Sequence, residues 1–230
     1  MATNGITAAL PSSEGEYRGR LLAAALEGIG EVGWADLTIA EIVRRARVSK
    51  RTFYEHFATR EDILLALYET VSSQVLDELD AAAQRVPPGE GRIEAGAIFY
   101  LTRLQQAPRV VRTLAIEILH LGTAGLAIRR RVMRRFAVFL QREINAAGRR
   151  PPISLAVAMV IVGGINELTL EALEEDRVDR LSELVAPIVE VVRGVLRCGG
   201  KQTAEKRRHE ATRRAALAPH PPSNRRRPAR

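Results

Sequence analysis

The sequence predicts an all-α protein of about nine helices. Three observations carry this. No segment alternates polar and apolar residues as a half-buried strand does, apolar residues recur at helical spacing, and glycine or proline interrupts that spacing at intervals. In the first helix, expected over 16–29, Leu21, Leu22, Ala25, Leu26 and Ile29 share a stripe, and Gly28, Gly30 and Gly33 are expected to end it. Two short helices follow over 38–45 and 49–55. Ile63, Leu64, Leu67, Tyr68 and Val71 mark a long helix over 60–84, closed by Pro87-Pro88-Gly89. Ile98, Phe99, Leu101 and Leu104 belong to a fifth helix over 91–106. Pro108, Gly122, Gly125, Pro151-Pro152 and Asp176 then punctuate helices over 109–120, 124–147, 153–175 and 179–197. No internal repeat is evident.

Composition bounds the function. A chain of 230 residues, 46% hydrophobic, has apolar material for one large domain or two small ones. Its single cysteine, Cys198, cannot close an internal disulfide, which suits a reducing compartment. The apolar run from Ile153 to Ile165 is expected to fall short of the ~18 residues that a membrane span needs. The first twenty residues lack the basic start and apolar run of a signal peptide. A cytoplasmic protein with no membrane partner is the expectation.

The net charge of +8 is concentrated at one end. Residues 199–230 carry ten Lys/Arg against two Asp/Glu, and residues 1–198 carry 25 of each sign. The pI near 10.4 therefore reflects the tail and does not by itself indicate nucleic-acid binding. Residues 1–15 and 199–230 are expected to be disordered. The tail reads as a solvated extension, with a non-specific phosphate-binding arm as the alternative. Within the body, Arg44 to Arg60 holds six basic residues against Glu55, a net of +5.

That basic stretch also carries the clearest local signals. Thr38-Ile39-Ala40-Glu41 is a capping box, in which the Thr38 hydroxyl accepts from the Glu41 amide and the Glu41 carboxylate reaches back. After a short turn through Arg47, Ser49 caps the next helix, and Val48 and Phe53 stand where a hydrophobic staple forms. Thr59, with Asp62 three residues on, caps the fourth helix. Two short helices joined by such a turn make a helix-turn-helix. Its inward face is Ile39, Ile42, Val43, Ala46, Val48, Phe53 and Phe57. Lys50, Arg51, Thr52, Tyr54 and His56 are left outward. Arg and Lys donate to guanine edges, Thr serves a base or phosphate, and Tyr reaches a phosphate oxygen. Amides at the helix starts add anion sites at Thr38, Ser49 and Arg60.

From about Arg18 to Leu67, some fifty residues without a gap, the chain resembles the DNA-binding domain of the TetR (tetracycline-repressor) family. V-S-K-R-T-F-Y-E-H-F followed by a capped helix is the most specific passage. The resemblance implies a phosphate contact at Thr38, base reading by Lys50, Arg51 and Thr52, and backbone clamps at Tyr54 and His56. Arg60 stands where the family has a basic residue at the start of the fourth helix. Arg47 departs from the glycine that many members carry in the turn, where a left-handed conformation costs a non-glycine residue ~1 kcal/mol.

The implied organisation is a helix-turn-helix domain over 16–60 and a helical ligand-binding and dimerisation domain over 61–198. The homodimer is expected through the helices near 153–175 and 179–197. Ala156, Ala158, Gly163 and Gly164 permit close helix approach there. Candidate ligand contacts are polar residues inside apolar runs: Tyr100, Arg103, Glu117, His120 and Asn166. The run Arg129, Arg130, Arg131, Arg134 and Arg135 reads as a solvated face, with an anionic ligand or the DNA-binding domain as alternatives.

Enzymatic readings find no support. The four histidines (His56, His120, His209, His220) have no metal-ligand spacing, and no phosphate loop or nucleophile elbow occurs. No catalytic residue, metal or cofactor is expected. The predicted function is a regulator of double-stranded operator DNA, most simply a repressor released by a hydrophobic or amphipathic small molecule. A constitutive DNA binder and a cytosolic helical ligand carrier are the alternatives.

Overall fold

A computed structural model describes residues 16–197. The expectations for residues 1–15, for Cys198 and for the basic tail lie outside the described residues. Nine α-helices and one 3₁₀ segment occur among the described residues: α1 (Glu16–Val32), α2 (Ile39–Ala46), α3 (Lys50–His56), α4 (Arg60–Gln84), α5 (Glu90–Gln105), α6 (Pro108–His120), α7 (Gly122–Ala146), α8 (Leu155–Glu174), a 3₁₀ segment (Val178–Leu184) and α9 (185–197). The all-α expectation holds, and most boundaries fall within two residues of the expected ones.

The first helix is longer than expected. Gly28 and Gly30 lie inside α1, which ends at Val32, just before Gly33 at φ +83°. Gly28 is there for packing: a Cβ at this position would stand 2.5 Å from Cδ1 of the buried Leu37. The last expected helix is also different. It divides into the 3₁₀ segment and α9, because Val178, Leu181 and Leu184 turn inward at a spacing of three, the period of a 3₁₀ helix. Asp176 stops α8 as expected, in the left-handed region at φ 56°.

The first core joins α1 to α4 and continues into α6 and α7. Leu21, Leu26, Ile42, Phe53, Ile63 and Leu64 are among its fully buried residues. The inward face expected for the helix-turn-helix is borne out, with Ile39 and Val48 partly buried at its edge. A second core holds α5, α7, α8 and α9 together, and a third holds α5, α6, α8 and the 3₁₀ segment. The long α4 therefore runs from the N-terminal unit into the C-terminal helices.

α8 keeps its expected bounds to within two residues, but the expectation that its apolar run falls short of a membrane span does not hold: by length and composition alone the helix is long enough to cross one. Only 22% of its apolar window is buried within the chain. Val157, Val160 and Leu168 are exposed along its outer side.

Candidate nucleic-acid interface and ligand cavity

The caps read in the sequence position α2 and α3. Thr38 Oγ1 accepts from the Glu41 amide at 3.2 Å, and Ser49 Oγ accepts from the Thr52 amide at 3.0 Å. The expected second half of the first capping box does not form. Glu41 instead takes Arg44 at 2.6 Å and Arg45 at 2.7 Å. The Arg44 guanidinium, with Arg45 adding, holds the Glu41 carboxyl down at about 2. Thr59 and Asp62 do form the full reciprocal box at the start of α4.

Between α2 and α3, Arg47 adopts φ 53° and ψ 47°, the left-handed conformation that glycine takes most easily. Its amide closes onto Arg44 O, and the Val48 amide reaches Val43 O at 3.1 Å. The Arg20 guanidinium of α1 donates to the carbonyls of both Ala46 and Arg47. The turn is thereby tied to the first helix.

On α3, Lys50, Arg51, Tyr54 and His56 are exposed, and Thr52 is half-buried. Arg51 extends into solvent with only an i,i+4 contact to Glu55 at 3.2 Å. The Thr52 hydroxyl pairs with Ser49 Oγ at 2.9 Å. Tyr54 is 56% exposed and packs edge-on against the buried Phe53 ring. Arg60 is committed elsewhere. Its guanidinium donates to the carbonyls of Trp34 and Leu37 and lies 4.2 Å from the centre of the Trp34 ring. It fixes the α1–α2 loop to the start of α4, and only its backbone amide remains at the helix end.

A cavity of about 190 Å³ lies among the C-terminal helices. α4 contributes Tyr68, Val71 and Val75, α5 contributes Tyr100 and Arg103, and α6 contributes Val110, Val111 and Leu114. α7 adds Arg129, Val132 and Phe136, and α8 adds Ile165, Asn166 and Thr169. Tyr100 meets Phe136 edge-on at 5.7 Å. Burial pushes the Tyr100 hydroxyl above the ordinary tyrosine range, and Tyr68 shifts the same way with Arg129 opposing. Arg92 pairs with the buried Glu143 at 3.1 Å, and Arg103 with Glu78 at 2.8 Å. Asn166 Nδ2 is buried without a hydrogen-bond partner among the described residues.

Two arginines on α6 connect this cavity to its surroundings. Arg109 donates to Glu31 O at the end of α1, at 2.6 Å, and Arg112 donates to Leu173 O near the end of α8.

The profile described as bacterial regulatory proteins, tetR family, matches residues 21–67. Over 81 residues the chain is 36% identical to the HTH-type transcriptional regulator BetI of Escherichia coli O45:K1 (strain S88 / ExPEC), covering 35% of this chain. The likeness to the TetR family is carried by the N-terminal segment, residues 21–67. The match spans 42% of the length of that curated relative. The fatty acid degradation regulator FadR of Bacillus halodurans has a similar fold, with TM-score 0.63 and 17% identity, covering 78% of this chain and 95% of FadR. FadR of Bacillus subtilis, solved in complex with stearoyl-CoA, gives TM-score 0.59 and 18% identity, over 75% of this chain and 96% of that one. At such identities the likeness concerns the fold alone.

Within the cavity the predicted ligand residues separate. Tyr100, Arg103 and Asn166 line the cavity. Glu117 and His120 do not; they face each other at 3.5 Å at the end of α6, with the His120 side chain 69% exposed. Their place in an apolar run misled, because the inward stripe of α6 falls on Val110, Val111 and Leu114. Arg129 is the lining residue that the sequence reading left among alternatives. The arginine run divides: Arg130 and Arg134 are exposed, Arg131 approaches Glu69 and Arg135 meets Ser73, but Arg129 turns to the cavity. Helical phase against Val132 and Phe136, three and seven residues on, is the signal that selects it. Among the described residues, no group of three or more His, Cys, Asp or Glu is placed to hold a metal.

Proposed function

We propose that this protein is a ligand-responsive DNA-binding transcriptional regulator, most simply a repressor released from its operator by a small hydrophobic or amphipathic molecule. The observation that carries this is the double membership of α4. Ile63, Leu64 and Leu67 belong to the core that holds α2 and α3, and Tyr68, Val71 and Val75, one to three turns on, line the cavity. A molecule that moves the cavity wall moves the helix on which the recognition surface rests. A ligand shifts such an equilibrium only as far as it prefers one arrangement.

In this reading α3 enters the major groove. Lys50, Arg51 and Thr52 read base edges, Thr38, Ser49, Tyr54 and His56 hold phosphates, and Arg60 acts through its amide and by bracing the loop. The cavity supports an effector, and the stearoyl-CoA complex of the Bacillus subtilis neighbour is a precedent for a ligand in this fold. Two half-sites require two copies. The outer stripe of α8, with Ala156, Val157, Val160 and Gly164, and that of α9, with Pro187, Val191 and Gly194, offer an apolar face of small residues for the second copy. Ala158 is not part of it; this residue is fully buried in its own protomer.

The test is selection of bound fragments from the source genome, followed by anisotropy with the recovered site. Specific binding abolished by Arg51→Ala supports the reading. Equal affinity for all fragments, unchanged by that substitution, overturns it and leaves the ligand-carrier alternative.

A further inference from the structure

We propose that the cavity selects a small amphipathic anion, with an apolar body among the aliphatic side chains and an acidic head held by Arg129, Tyr68 and Tyr100. The proposal rests on the reading of this cavity as the effector site, and deepens it by naming the ligand's chemistry.

Four charged residues line the cavity, and they divide by partner. Arg92 has Glu143 at 3.1 Å, and Arg103 has Glu78 at 2.8 Å and Gln106 at 3.0 Å. These pairs neutralise themselves. Arg129 is half-buried and has no carboxylate within 4.0 Å among the described residues. A cation withdrawn from water without a counter-charge is unfavourable, and a ligand carrying the missing charge relieves that cost.

The neighbours of Arg129 reinforce the preference. Tyr68 of α4, Tyr100 of α5 and Arg129 of α7 line this one cavity from three helices, and the Arg129 charge opposes the rise of the Tyr68 hydroxyl. Tyr100 is enclosed by protein yet keeps accessible surface, which faces the cavity. Burial keeps both phenols protonated, hence able to donate. Neither hydroxyl finds a hydrogen-bond partner among the described residues. A guanidinium beside two phenol donors is matched by an oxyanion, which accepts from all three. Asn166 Nδ2, also buried and unpartnered, adds a further donor elsewhere on the wall. The volume limits size: an engineered cavity of ~150 Å³ takes benzene, so about 190 Å³ suits a body of roughly eight heavy atoms.

The experiment is calorimetric titration of the full chain with octanoate and with 1-octanol, which share an apolar body and differ in the head. Octanoate is expected to bind roughly tenfold or more tightly than the alcohol. Arg129→Gln should remove that advantage and weaken octanoate far more than 1-octanol, Arg129→Lys should restore part of it, and Tyr100→Phe should cost octanoate several-fold. Equal affinity for the two heads, or octanoate binding indifferent to Arg129→Gln, overturns the proposal. So does failure of octanoate to bind at millimolar concentration. DNA release is scored separately. Octanoate that binds through Arg129 without altering operator affinity leaves the head-group assignment standing and counts against the cavity as the effector site.

Discussion

The Arg20 guanidinium donates to the carbonyl oxygen of Arg47 at 3.0 Å, across 27 residues of sequence. Arg47 is left-handed at φ 53°, a conformation that strains a residue with a side chain by about 1–2 kcal/mol. The same guanidinium takes the Ala46 carbonyl, so α1 holds in place the turn that sets the angle of α3. Arg47→Gly should remove the strain at a smaller cost in chain entropy, for a net gain of about 0.5–1 kcal/mol. Arg20→Ala should lose about 1–2 kcal/mol by freeing two carbonyls from a charged donor. Urea denaturation of both variants checks the pair. A destabilised Arg47→Gly would place the turn's stability in its side chain and not its backbone.

Arg51 and Tyr54 stand on the same exposed face and should act differently. Arg51→Ala should cost about 1–3 kcal/mol at the cognate site and relax preference at one base pair per half-site. Tyr54→Phe should weaken binding about equally across sequences, because a phosphate contact positions without reading. Competition binding against a library of single-base variants separates the two. Altered preference in Tyr54→Phe alone would exchange their roles.

What the sequence made legible follows local physics. Caps at Thr38, Ser49 and Thr59 are written in neighbouring residues, and the stripe from Ile42 to Phe57 needs only helical phase. Long-range choices were hidden. Whether Glu41 turns back to its own cap or takes Arg44 and Arg45 depends on competing charge, and the sequence lists both options. The commitment of Arg60 to Trp34 and Leu37 requires the α1–α2 loop to fold over α4. Gly28 resembles a helix stop until Leu37 is seen pressed against it. In the cavity, Arg129 was concealed by four neighbouring arginines that point elsewhere.

Glu41 gives an acid-range signature. Its carboxyl is lowered from 4.5 to about 2, chiefly by the Arg44 hydrogen bond. A depressed carboxyl contributes stability that is full above about 4.5 and is lost as pH falls through about 2. Glu41→Gln should therefore lower the melting temperature near neutrality, with the difference from the parent closing as pH falls through that window. A parallel fall in both proteins would show that the ion pair carries no stability.

Gly164 tests the second copy. A Cβ at Gly164 would meet nothing within 4 Å in its own protomer, so a larger residue is tolerated by the single chain. Gly164→Arg should keep the helix content of the parent, yet place a long cation in an apolar helix contact and separate the copies. Light scattering should report monomers, and operator affinity should fall with the loss of paired half-sites. An unchanged dimer would move the interface away from this face of α8.

The coupling between cavity and recognition surface should pass through α6. Val110, Val111 and Leu114 face the cavity, Arg109 holds the last carbonyls of α1, and Arg112 holds Leu173 of α8. A ligand that shifts α6 therefore pulls on α1, and α1 in turn grips the turn before α3 through Arg20. Arg109 is exposed at the contact with α1 and does not line the cavity, so Arg109→Ala should leave octanoate affinity for the free protein within about twofold. The same substitution should lower the coupling free energy by about 0.5–2 kcal/mol, because one of the links between the two units is cut. The measurement is a complete cycle, with octanoate affinity determined with and without operator, and operator affinity with and without octanoate. Linkage requires the two ratios to agree. A variant that keeps the parent's coupling in full would exclude the Arg109–Glu31 contact as the route and leave α4 to carry the signal alone.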